Sequence, residues 1–116
     1  MTKFLSYNLL DYGLSDSAQE LARRERLHTV IRQRDPDVLA VQELRAEGGD
    51  EAKRAGELLR ELAEATGLVC DLPDGTPAVA LGAVGFHVGL AWRPGIEAKS
   101  WRDWPDRQDD DRRGQW

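Results

Sequence analysis

The stretch PDVLAVQEL, residues 36 to 44, constrains the fold of this chain more than any other. Asp35-Pro36 must end whatever helix precedes it, because proline restricts the residue before it and lacks the amide proton a helix needs to continue. Val38 to Val41 then form an unbroken apolar run, which predicts a strand buried on both faces and hence a parallel partner. That partner lies upstream. KFLSYNLL, residues 3 to 10, alternates aromatic, aliphatic and polar side chains and reads as a first strand, ended by Asp11 and Gly13. Between the two strands, Ser17 and Glu20 make an S-x-x-E capping box, and Leu21, Leu27, Val30 and Ile31 share one helical face. A helix from about Ser17 to Arg34 is predicted, completing a strand, helix, strand unit.

Beyond Gly48-Gly49 the pattern turns helical again, with Asp50 as N-cap, Ala55, Leu58, Leu59 and Leu62 in register, and Gly67 as the C-terminal stop. Gly56 is an unfavourable residue inside this helix. Leu68 to Leu72 predict a third strand and PDGTP a turn. Phe86 to Trp92 predict a fourth strand, joined through Arg93-Pro94-Gly95 to a fifth at Ile96 to Trp101 as an antiparallel hairpin. The expected organisation is one domain over residues 1–104, followed by a charged, flexible tail over 105–116 that contains Asp109-Asp110-Asp111. No internal repeat is present.

Composition narrows the function classes. The 116 residues are 41% hydrophobic and 32% charged, which fits a single folded domain with a well-solvated exterior. No window approaches the roughly 20 apolar residues of a membrane span, and the first residues lack the pattern of a secretory signal, so a cytoplasmic location is expected. Cys70, the single cysteine, can form neither an internal disulfide nor a zinc site and is expected to be a buried thiol. A net charge of -5 gives nucleic acid no overall electrostatic attraction. A phosphoester enzyme is compatible with that charge, because magnesium sites are themselves built from carboxylates.

A parallel crossover leaves the carboxyl ends of both strands at one edge of the sheet, the usual place for a ligand crevice. Asn8 and Glu43 fall at those ends. Glu43 offers the hard anionic oxygen magnesium prefers; Asn8 offers an amide that could orient that carboxylate, reach the ion or bind a phosphate oxygen. Each also has a plain structural reading. A glutamate just past a strand is commonly the first solvated residue of a loop, and a strand-end asparagine commonly bonds its own backbone. Gln42 and His28 read as structural residues, and His87 could face either side of its strand. The four tryptophans, at 92, 101, 104 and 116, are not interleaved with a basic stripe of the kind that stacks bases.

FLSYNLL with Asn8, an arginine-containing helix and PDVLAVQEL with Glu43 together resemble the amino-terminal half of the endonuclease/exonuclease/phosphatase superfamily, metal-dependent phosphoesterases that include deoxyribonucleases. GFHVGLAWRPGIEAKSW is similar to a later hairpin of that family, so the likeness runs from about Lys3 to Trp101. It implies an α/β fold: a partial two-sheet α/β sandwich with one mixed sheet, flanking helices and the second sheet missing. It also implies Mg2+, or Mn2+, held by Glu43 with Asn8 beside it, both in catalytic positions, and a phosphate-ester substrate. The family's G-D-x-N and S-D-H blocks are both lacking, since Asn8 is the only asparagine and no Ser-Asp-His occurs.

Three readings follow. One is a member or fragment of a Mg-dependent phosphoesterase, a natural truncation or a piece of a longer enzyme, weakly active or inactive as this chain alone. The second is a non-catalytic interaction module that pairs its exposed sheet face with a complementing chain or with itself as a homo-oligomer. The third is a small acidic α/β protein whose Gln-Glu ending is accidental.

Overall fold

Ser17 opens the first helix as expected: its side chain accepts from the Glu20 backbone amide at 3.2 Å. The computed structural model describes residues 2–13, 15–46, 50–82 and 85–96. Within them the order is β1 (Phe4–Tyr12), α1 (Ala18–Arg34), β2 (Val38–Arg45), α2 (Glu51–Thr66), β3 (Val79–Leu81) and β4 (Phe86–Trp92). Asp35 closes α1 in a left-handed conformation, and Asp50 and Gly67 cap the two ends of α2.

The four strands form one mixed sheet in the order β1-β2-β4-β3. β1 and β2 run parallel, with Phe4 opposite Val38 and Asn8 opposite Gln42; β4 is antiparallel to both β2 and β3. At the amino-terminal edge of the parallel pair, Asp37 accepts from the Lys3 amide at 2.7 Å and from Arg93 Nε at 2.7 Å, tying the starts of β1 and β2 to the end of β4.

Both helices cover the same face. Leu9 and Tyr12 of β1, Leu39, Val41 and Leu44 of β2 and Ala91 of β4 are buried in one cluster with Ile31 of α1 and Leu58, Leu59 and Leu62 of α2. Each fully buried leucine contributes roughly 1.5–3 kcal/mol by leaving water. The α2 positions 55, 58, 59, 62 and 63 follow helical spacing closely. α1 departs from its predicted stripe. Leu21 is 45% exposed, and the buried face instead carries Arg24, His28 and Ile31: the Tyr12 hydroxyl meets His28, and Arg24 bonds Ser15 O and Asp16 and lies 3.6 Å from Glu61.

The opposite face, with Phe4, Ser6, Asn8, Val38, Ala40, Gln42 and Val88, is exposed or only half-buried, and no second sheet occurs among the described residues. This is the expected mixed sheet with flanking helices, open on one side as in a partial sandwich. It corrects the prediction that β2 is buried on both faces: Leu39 and Val41 are buried, whereas Val38 and Ala40 are only partly covered.

Three further boundaries differ. β1 and β2 continue past Asp11 and Val41 respectively, for reasons given below. The predicted third strand at Leu68–Leu72 is reduced to single bridges, Val69 with Trp92 and Asp71 with Pro77. Pro77 has no amide proton to extend that ladder, and the turn before it sends the chain into β3, a strand the sequence did not announce. The predicted fifth strand at Ile96 to Trp101 lies beyond the described residues from position 97 on, as does the 105–116 tail.

Candidate active site

Strand alternation would place Glu43 on the face opposite Gln42, and so opposite Asn8. The buried positions of β2 show why it does not lie there: they fall at 39 and 41, then at 44, so the two-residue period slips by one. Glu43 is the inserted residue. Its φ of +63° is left-handed, and the pairing of β2 with β4 shifts register between Val41 and Leu44. β1 slips at the same level, with buried positions at 9 and then 12, register lost between Asn8 and Tyr12, and left-handed Leu10 (+53°) and Asp11 (+61°). Two adjacent bulges therefore turn Gln42 and Glu43 to the open face together and let both strands run on past the site.

The result is a direct contact. Asn8 Nδ2 donates to Glu43 Oε2 at 2.8 Å, and Asn8 Oδ1 accepts from the Leu10 amide at 2.9 Å. With its oxygen on a backbone N–H and its nitrogen on a carboxylate, the Asn8 amide is fixed in one orientation. Gln42 Nε2 donates to Ser6 Oγ at 3.2 Å, a tie between the parallel strands. Nearby on the bulged segments, Arg45 meets Asp11 at 3.4 Å and lies over the Phe86 ring at 4.3 Å.

Neither histidine joins this pair. His87 is buried in register with Leu44 on the helix-covered face; its Nδ1 accepts from the Gly82 amide at 3.0 Å, which leaves Nε2–H to donate to Ala46 O at 3.2 Å. His28 is buried behind the sheet, 2.8 Å from the Tyr12 hydroxyl, which itself donates to Glu61 Oε2 at 2.6 Å. Burial and the Glu61 carboxylate push the Tyr12 phenol far above its usual range, so its single proton stays on the oxygen and points to Glu61. His28 must then donate through Nε2, and burial lowers its pKa, which favours the neutral imidazole. Cys70 is buried as expected, and burial pushes its thiol up to about 11. Of the tryptophans only Trp92 is described, and it is buried.

A model of the endonuclease/exonuclease/phosphatase family matches residues 5–116. The chain belongs to the endonuclease/exonuclease/phosphatase family. Neither the curated proteins nor the solved structures contain a match to it. In this family member the two residues singled out from the sequence do meet, on the sheet face left open by the helices. Sequence reasoning did not single out the bulge residues Leu10 and Asp11, nor Arg23 of α1, which donates to the Leu9 and Leu10 carbonyls. Asp11 carried a faint signal, since aspartate tolerates left-handed backbone better than most residues.

Proposed function

We propose that this family member carries the metal-binding part of a phosphoesterase site, with Glu43 as the Mg2+ ligand and Asn8 as the residue that orients it. The 2.8 Å bond between Asn8 and Glu43 supports this reading most strongly. Magnesium keeps several waters and takes one or two protein carboxylates plus substrate phosphates. A single oriented carboxylate on an open face suits that habit, and suits Mn2+ equally. Among the described residues no group of three or more His, Cys, Asp or Glu could cage an ion without substrate.

When bound, the ion would offset the negative charge that grows on phosphate oxygens during in-line attack by water. Glu43 would hold it through Oε1, the oxygen not bonded to Asn8, and Asn8 would keep the carboxylate from rotating away. Neither His28 nor His87 faces this site to move a proton. Because losing one proton-transfer group costs about 10²–10⁴-fold, weak metal binding with little or no hydrolysis is expected of this chain alone. The substrate class is a phosphate ester, mono- or diester.

The test is Mn2+ binding, read by electron paramagnetic resonance, alongside Mg2+-dependent hydrolysis of a generic phosphodiester and phosphomonoester, in the parent and in Glu43→Ala. Binding lost in the variant supports the reading. Equal binding in both proteins overturns it, and robust hydrolysis that vanishes in Glu43→Ala would show that the proton-transfer groups were misjudged.

The interaction-module reading retains one supporting observation: Phe4 is 66% exposed, Leu10 64% and Val88 44%, on or beside the open face. A concentration-dependent sedimentation coefficient in the parent that a Phe4→Ser, Val88→Thr variant abolishes would favour it.

A further inference from the structure

The Asn8–Glu43 pair is held from behind by a residue that touches neither. Between Asn8 and Tyr12 the register of β1 on β2 is lost, so the carbonyls of Leu9 and Leu10 fall where the ladder is interrupted. Arg23, on α1, reaches both: NH1 donates to Leu9 O at 2.8 Å and NH2 to Leu10 O at 2.7 Å. The guanidinium is itself clamped by Glu20, with Nε on Oε1 and NH2 on Oε2, each at 3.0 Å. This two-pronged contact is the geometry in which arginine loses least freedom per bond formed. Donation by Arg23 also holds the Glu20 carboxyl below its usual range, which marks the clamp as ionic.

The connections run onward without a gap. Arg23 grips the Leu10 carbonyl, the Leu10 amide donates to Asn8 Oδ1, and Asn8 Nδ2 donates to Glu43 Oε2. Left-handed backbone at Leu10 and Asp11 is unfavourable for residues with a Cβ and persists only where surrounding contacts impose it. Arg23 is such a contact.

We propose that Arg23, clamped by Glu20, is a positioning residue for the candidate metal site: by holding the Leu9 and Leu10 carbonyls it sets the β1 bulge that aims Asn8 at Glu43. Its functional meaning rests on the reading of that pair given above, yet the geometric part can be tested without any metal.

Asn8 is the only asparagine in the chain, so selective 15N-asparagine labelling yields one side-chain amide signal. In the metal-free parent this signal should show two well-separated protons and slow exchange with water. Arg23→Gln should bring the proton shifts together and speed their exchange by about tenfold, as expected when a charge-assisted support is lost. Arg23→Lys and Glu20→Gln should give intermediate effects, and they carry the test if Arg23→Gln fails to fold. Arg32→Gln is the control: Arg32 joins α1 to Ala65 O of α2 at 2.6 Å, and its loss should lower the melting temperature without moving the Asn8 signal. An Asn8 signal that is unchanged in the Arg23 and Glu20 variants but moves in Glu43→Gln would overturn the proposal, as would an equal displacement in Arg32→Gln. Mn2+ added to the parent tests the other reading: absence of broadening of the same signal would remove the metal while leaving the dependence on Arg23 intact.

Discussion

Asn8 and Glu43 lie 35 residues apart in the chain, yet their side chains meet at 2.8 Å because two β-bulges occur side by side in parallel strands. The orientation of the carboxylate therefore depends on the amide. Removing a residue that orients a metal ligand typically weakens metal binding by about 10–100-fold; because this pair is exposed, Asn8→Ala should fall near the lower bound. Glu43→Ala should remove binding altogether. Mn2+ titration of both variants checks the order, and a loss in Asn8→Ala equal to that in Glu43→Ala would make Asn8 a ligand in its own right.

Glu43 sits in left-handed backbone, where any residue with a Cβ is strained. Glu43→Gly relieves that strain but adds freedom to the unfolded chain, so it should be more stable than Glu43→Ala by about 0.5–1 kcal/mol. Both variants lack the carboxylate and should bind no Mn2+. Urea denaturation of the two proteins compares them directly, and an Ala variant at least as stable as the Gly variant would refute the strained geometry.

Burial is the main cause that holds the His28 pKa below the usual 6.5, with Arg32 and Arg24 acting in the same direction against Glu25 and Glu61. Between the lowered folded value and the unfolded one, the unfolded chain binds more protons. Stability from neutral His28 is thus fully present above pH 6.5 and declines as pH falls through 6.5 towards the folded value. Denaturation midpoints at pH 7.5 and 5.5 should differ in the parent and differ less in His28→Gln. An identical pH dependence in the two proteins would contradict the buried neutral imidazole.

Gly56 stands inside α2, where alanine would ordinarily add about 1 kcal/mol. A Cβ built there meets the Pro77 ring at 2.7 Å, and that ring cannot swing aside. Overpacking of this kind costs about 1–3 kcal/mol, so Gly56→Ala should lower the melting temperature despite its helix propensity. A rise would mean that the turn carrying Pro77 gives way.

The elements of this fold were legible wherever short-range chemistry decides them. Ser17 and Asp50 open helices because their side chains bond amides three residues ahead, Asp35-Pro36 ends α1, and the 55–58–59–62 spacing fits the covering face of α2. Asn8 and Glu43 could be named because a parallel crossover brings strand ends to one edge by topology alone. Other features depended on contacts between segments far apart. α1 buries His28 rather than Leu21, since Tyr12, brought in from β1, meets the ring with its hydroxyl away from water, while Arg24 beside it bonds Ser15 O and Asp16 and lies 3.6 Å from Glu61 of α2. Glu43 faces Asn8 only because the strands slip register, and Arg23 across the sheet from it helps hold that slip. Local sequence determined which segments are helix and strand and which residues had the chemistry for a site. The direction in which those side chains point was decided by tertiary structure, because a left-handed residue within a strand is unfavourable by itself and is stabilised only by partners that folding supplies.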